Sequence, residues 1–244
     1  MSVIYEPKNR AKEYCDLALN LFNGCTNACK YCFAPNVLRK DKADFHSTCE
    51  ARKNIVASVK KEASDYKGKE VLLCFTCDPF PNNKKLVEEV TIPVLKILGE
   101  AGVIANVLTK NPLSAMDNRD LFVKYGFKLG TTMLFTSDIT RKQWEPEAEN
   151  VLARAGAISY AHSAGVYTWI SVEPVIDTEE ALGVIQILHE DVDFWKVGKL
   201  NGRDEETKAI EKFIDWKKFY YDATALLDSF SAKYYIKKDL REFA

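Results

Sequence analysis

No stretch of the 244-residue sequence approaches the roughly 18 uncharged apolar residues of a membrane span, so no membrane partner is expected. The chain also lacks an excess of either charge. Lys and Arg number 34 against 35 Asp and Glu, giving a net charge of -1, so no global field draws it to polyanions and any nucleic-acid contact has to be local. Glycine (11) and proline (8) are too sparse for a collagenous chain, and an apolar content of 47% excludes a disordered one. The segment MSVIYEPKNR lacks the apolar core and small-residue cleavage site of an export signal, and a cytoplasmic location is expected. Cysteine, by contrast, is plentiful. There are seven, an odd number that argues against a disulfide framework in a reducing compartment, and three of them fall between positions 25 and 32.

The length suits one domain, residues 1–244, with a core over about 15–203 and a carboxy-terminal helical and strand extension over about 204–244. Short β-branched runs predict strands at Ala18–Phe22, Val71–Phe75, Val103–Leu108, Phe127–Met133, Val166–Ser171 and Phe194–Val197, with a late one at Tyr234–Ile236. Amphipathic segments predict helices near 49–64, 83–99, 114–124, 146–163, 179–189 and 205–228. Asp177 offers a polar cap to the fifth, while Pro93 must begin a helical segment or kink the second. Alternating strand and helix implies parallel strands joined by right-handed crossovers. The fold class is α/β, and periodicity alone leaves open whether the sheet is doubly wound or a partial or full (β/α) barrel.

After the first strand the chain reads NGCTNACKYCFAPN, which places Cys25, Cys29 and Cys32 in a C-x3-C-x2-C pattern. Three thiolates on one loop suit an iron–sulfur or zinc centre, because soft sulfur ligands prefer those metals to hard cations. Structural zinc wants a fourth protein ligand, for which His46 and Cys49 are candidates. An iron–sulfur cube with no fourth local ligand would leave one iron open to an exogenous donor.

This loop, with the aromatic Tyr31 before its last cysteine, resembles that of the radical S-adenosylmethionine (SAM) superfamily. The resemblance implies a 4Fe-4S cluster, SAM as cofactor and a (β/α)6 barrel. It further implies reductive cleavage of SAM, hydrogen abstraction from a substrate and a low-potential electron donor such as flavodoxin or ferredoxin. A monomer is expected. Barrel enzymes place function at the carboxyl ends of their strands, and polar residues collect there: Thr76, Cys77 and Asp78, then Lys110, Thr132, Ser171 and Glu173, and finally Lys199 and Asn201.

CDPF, TKN, WEPEAEN with Arg154, GVYTWISVEPV and KVGKLN together resemble the branch that includes spore photoproduct lyase, over roughly residues 15–203. For that branch Asp78 is expected at the methionyl amine of SAM and Glu173 at its ribose. The lyase also uses a cysteine outside the cluster as a hydrogen donor, and either Cys74 or Cys77 lies near its spacing. Cys77 sits at the expected strand mouth, whereas Cys74 falls in an apolar strand and reads as a core residue. Three classes stay open: a lyase- or DNA repair-like enzyme acting on a nucleic-acid lesion or modified nucleotide, one acting on a small molecule or peptide, and a non-catalytic iron–sulfur or zinc interaction protein.

Overall fold

The computed structural model describes residues 2–244. Its strands are β1 (Ile4–Tyr5), β2 (Ala18–Leu19), β3 (Phe22–Gly24), β4 (Cys49–Ala51), β5 (Glu70–Leu73), β6 (Ile104–Thr109), β7 (Lys128–Thr132), β8 (Tyr167–Val175), β9 (Phe194–Lys199) and β10 (Tyr234–Ile236). β3 and β4 form a separate antiparallel ribbon, and the rest make one sheet in the order β1-β2-β5-β6-β7-β8-β9-β10. From β2 onward every pairing is parallel, and only β1 runs antiparallel at the edge.

An order that never reverses has no switch point, so successive right-handed crossovers stay on one face and the sheet curls. That excludes the doubly wound alternative. β1 and β10 are edges and do not pair with each other, so the barrel is partial.

The two faces of the sheet carry different residues. Val71, Leu73, Val107, Leu129, Ile170, Val172 and Val197 belong to the large core packed under the helices. On the other face Ala18, Leu72 and Trp169 form a small plug ringed by Tyr5, Tyr14, Phe75, Leu108 and Phe194. Trp169 Nε1 donates to Asn106 Oδ1 at 2.7 Å, which satisfies the one polar atom of that buried ring. The plug floors the barrel, and the space above it stays free for a site.

Three departures from the sequence reading have local causes. The strand expected over Ala18–Phe22 divides, because the Asn20 side chain leaves the ladder: its Oδ1 accepts the N–H groups of Phe75 and Thr76 at 2.8 and 2.9 Å, and its Nδ2 donates to Tyr5. Residues 49–51, expected in a helix, instead pair with β3, and the helix begins at Ile55. The helix expected over 205–228 breaks in two at Asp215, whose carboxylate caps the second piece by accepting from Lys218 N–H. Pro93 is accommodated by a π-helical turn, Val87–Thr91, that precedes the α-helix Ile92–Glu100. β10 matches its predicted bounds and carries the sheet beyond β9. The Asp177 cap is present, with Glu179 and Glu180 N–H groups donating to it.

The β3–β4 ribbon closes residues 25–48 into a loop anchored at both ends. Gly24 starts it with φ +85°, and a Cβ there would lie 2.1 Å from the Thr48 carbonyl oxygen. Gly24→Ala therefore combines a left-handed backbone with a clash against main chain, and should cost about 2–5 kcal/mol. Gly165→Ala has a similar φ of +79° but meets nothing within 4 Å, and should cost about 1–2 kcal/mol. Urea denaturation of the two variants checks the difference.

Candidate active site

Gly24 delivers the chain into the cysteine loop. The Cys25 N–H donates to Phe45 O at 3.2 Å, the Cys32 N–H to Cys29 O at 3.1 Å and the Lys30 N–H to Trp144 O at 2.9 Å. These bonds turn the loop so that Cys25, Cys29 and Cys32 all line one cavity of about 630 Å³ at the carboxyl ends of the parallel strands. That volume is within the range of cofactor sites.

Among the described residues no group of three or more His, Cys, Asp or Glu side chains is close enough to hold a single metal ion, and His46 and Cys49 do not complete a zinc site. Three soft thiol donors facing one cavity are the ligand type of an iron–sulfur centre. Burial pushes all three thiols up, Cys29 to about 12, and a cationic centre is what would ionise them.

Of the strand-end residues and the other residues expected at the cofactor, Tyr31, Cys74, Thr76, Cys77, Asp78, Lys110, Thr132, Glu173, Lys199 and Asn201 line the same cavity, and Ser171 does not. Ser171 is buried just outside it, with its hydroxyl 2.8 Å from that of Tyr14.

Asp78 is the most heavily bonded of the set. Oδ1 accepts from Phe80 N–H at 2.9 Å and Thr109 Oγ1 at 2.5 Å; Oδ2 accepts from Asn27 Nδ2 at 2.7 Å and Lys110 N–H at 2.8 Å. A carboxylate has about four acceptor directions, and here all are used. Burial raises the carboxyl's pKa, and these donors work against that rise. Asp78 thus ties Asn27 of the cysteine loop to the ends of β5 and β6. Thr76, two residues earlier, has a buried hydroxyl with no partner.

A second cluster holds Tyr31. Its hydroxyl donates to Glu145 Oε1, whose other oxygen lies 2.6 Å from Arg154 Nη1, while Lys110 Nζ stands 3.6 Å from Oε1 and 5.6 Å from the Tyr31 ring centre. Glu145 and Arg154 are 0% and 1% exposed. Burial alone would raise the Glu145 carboxyl, but Arg154 and Lys110 hold it below the usual range. Arg154 also donates to Thr132 O at 2.9 Å, so the network reaches from the cysteine loop to the end of β7.

Across the cavity, Glu173 Oε2 accepts from Tyr14 at 2.6 Å and from Lys237 Nζ at 2.7 Å. Lys199 is paired with Glu211, and Asn201 Nδ2 donates to Asp239 at 2.9 Å. Tyr14, Lys237, Arg10 and Asn27 line the site without having been singled out from the sequence. Lys237 follows β10, and only the pairing of β10 with β9 brings it to Glu173. Asn27, inside the cysteine loop itself, was legible as a polar residue between Cys25 and Cys29.

No family model matches the sequence, and no curated protein matches it either. Solved structures do. The chain is similar to a cysteine-to-alanine variant of spore photoproduct lyase, with a TM-score of 0.70 at 13% identity, covering 95% of this chain and 78% of that one. It is similar to spore photoproduct lyase complexed with dinucleoside spore photoproduct at 0.67 and 14%, over 95% and 79%. A third is Streptococcus suis SuiB bound to S-adenosylmethionine, at 0.65 and 12%, where 90% of this chain corresponds to 49% of that one. The chain shares its partial (β/α) barrel fold with these structures.

Glu145→Gln would leave Arg154 and Lys110 without their counter-charge in a dry site and should cost about 3–5 kcal/mol in urea unfolding. Adding Arg154→Met should recover part of the loss. Equal stability of wild type and Glu145→Gln would mean that the pair does not hold the site together.

Proposed function

We propose that this chain is a radical SAM enzyme whose cluster is held by Cys25, Cys29 and Cys32 and whose SAM lies across the strand mouths. The observation that carries the reading is the convergence of the C-x3-C-x2-C cysteines and the strand-end polar residues on one cavity of a radical SAM-type barrel. When bound, the cluster supplies one-electron reductive cleavage of SAM and, through it, abstraction of hydrogen from a substrate carbon. It needs a low-potential electron donor, for which flavodoxin or ferredoxin are suitable classes.

The residues divide the work by which of their atoms are free. Asp78 was expected at the SAM amine. With its acceptor directions taken, its role in this reading is to position Asn27 and hence the cysteine loop. The amine falls instead to Thr76, whose buried hydroxyl lacks a partner. Glu173 engages Tyr14 and Lys237 through Oε2, which leaves Oε1 for a ribose hydroxyl. Tyr31, with Tyr14 and Phe75 from the ring around the plug, would keep water from the reacting carbon. Cys77 lines the cavity and can return a hydrogen atom to a substrate radical: an S–H bond breaks, a C–H bond forms and a thiyl remains.

The substrate read first is a nucleic-acid lesion or modified nucleotide, in a lyase- or DNA repair-like reaction. Two observations support it: the likeness to a lyase complexed with a dinucleoside spans most of this chain, and Lys8 and Arg203 add local positive charge to the cavity wall. A second reading, a peptide substrate, is favoured by the likeness to SuiB bound to precursor peptide SuiA, at a TM-score of 0.64 and 14% identity. Among the described residues no helix is long and apolar enough to cross a membrane. A cytoplasmic location and action as a monomer are part of the proposal.

Anaerobic assays with reduced, iron-loaded protein test these assignments. Wild type should form 5′-deoxyadenosine from SAM, and Cys25→Ala, Cys29→Ala and Cys32→Ala should not. Glu173→Ala should retain iron and weaken SAM binding about 10- to 100-fold, the loss of a charged hydrogen-bond partner. Asp78→Ala should instead lose iron. Iron-loaded wild type that leaves SAM intact would return the chain to the non-catalytic class.

A further inference from the structure

Cys74 and Cys77 are separated by two residues in LCFTC, directly after β5. A C-x2-C pair at the end of a strand in a parallel α/β fold is the pattern of redox-active dithiols. Here the backbone supports it. Cys74 has φ +64°, a left-handed conformation unusual for a residue with a side chain, and it ends the extended run so that residues 75–77 bend back on themselves. Both cysteines thereby face the cavity, although one ends a buried strand.

We propose that Cys74 and Cys77 form a reversible dithiol–disulfide pair in the cavity wall, closed by exchange with a low-molecular-weight disulfide. The surroundings divide the roles. Cys74 Sγ accepts the Leu21 N–H at 3.5 Å, and Cys77 receives the neighbouring Phe22 N–H. Burial alone would push both thiols up. For Cys77 that rise is reversed by the proton held on Cys74, by the Phe22 N–H and by the Arg52 charge, whereas Cys74 stays well above the usual thiol range. Cys77 is the attacking sulfur and Cys74 the resolving one, the usual asymmetry of such pairs. Cys49, a third thiol near Cys77, is pushed by burial up to about 12 and is a poor competitor.

The chemistry balances. The Cys77 thiolate attacks one sulfur of the small disulfide, its S–S bond breaks, and one thiolate leaves. Cys74 gives its proton to that thiolate and attacks the Cys77 sulfur, which releases the second half as a thiolate and closes the internal disulfide; that thiolate takes from solvent the proton that Cys77 gave up on ionising. The two protein thiols are oxidised and the small disulfide is reduced to two thiols. The consequence for catalysis rests on the proposed function: the disulfide form carries no S–H at Cys77, so the cavity loses its hydrogen donor. The exchange itself does not depend on that reading.

Trypsin isolates the pair, since the peptide Glu70–Lys84 contains Cys74 and Cys77 and no other cysteine. Iron-loaded protein is equilibrated anaerobically across ratios of reduced to oxidised glutathione, acid-quenched, alkylated with N-ethylmaleimide and digested. The peptide should lose two hydrogens as the ratio falls, Cys74→Ser should trap glutathione on Cys77, and Cys77→Ser should leave Cys74 alkylated. Complete alkylation of both cysteines at every ratio would overturn the pair, as would a Cys49–Cys77 disulfide or glutathione retained on Cys74. Protein that cleaves no SAM but closes the Cys74–Cys77 disulfide refutes the proposed function alone; protein that cleaves SAM and never closes it refutes the dithiol alone.

Discussion

A buried carboxylate fixes the cysteine loop to the barrel. Asp78 is 6% exposed, in surroundings where an unpaired charge would cost several kcal/mol, and donors from three parts of the chain meet it: Asn27, its neighbour Phe80, and Thr109 with Lys110. Removing any one leaves the others holding a partly unsatisfied carboxylate, so the loop, the end of β5 and the end of β6 share one geometry. Asn27 carries the constraint onward, because its Oδ1 also accepts from Asn111 Nδ2 at 3.2 Å. The Glu145, Arg154 and Lys110 cluster restrains the loop a second time, four residues on, through Tyr31. A hydrogen-bonded carboxylate and an ion-pair cluster therefore hold a segment that contains only short helices, Ala34–Leu38 and Lys42–Ser47.

Apart from Lys8 and Arg203, the basic residues of the cavity wall are arranged in pairs rather than as a field. Lys110 faces Glu145, Lys199 faces Glu211, Lys237 faces Glu173 and Arg10 faces Asp239, which accords with the near-neutral composition. Paired groups keep fixed positions and have only their remaining donors and acceptors to offer a ligand, a condition that favours orientation over long-range attraction.

Much of this was legible in the sequence. Runs such as VLLCF and VIANVL are buried on both faces and read as central parallel strands, and each appears in the sheet. Polar residues at their carboxyl ends marked the cavity because the barrel topology sends every strand end to the same side. What stayed hidden depends on contacts remote in sequence. Nothing local tells that Asn20 will replace a ladder partner for Phe75 and Thr76, and so divide the first strand. Nor does a charged run near the carboxy terminus show which lysine reaches Glu173; β10 pairing in register with β9 selects Lys237. Cys74 read as a core residue and is one, yet its left-handed backbone also turns it to the cavity, a conformation no propensity would assign to cysteine.

The most direct measurement is electron paramagnetic resonance of the anaerobically reconstituted, reduced protein before and after addition of SAM. A cluster on Cys25, Cys29 and Cys32 with one iron open should show about four irons and four sulfides per chain and a reduced 4Fe-4S signal that changes shape when SAM binds. A protein that retains one zinc ion in place of iron, or whose iron signal is indifferent to SAM, would contradict the account.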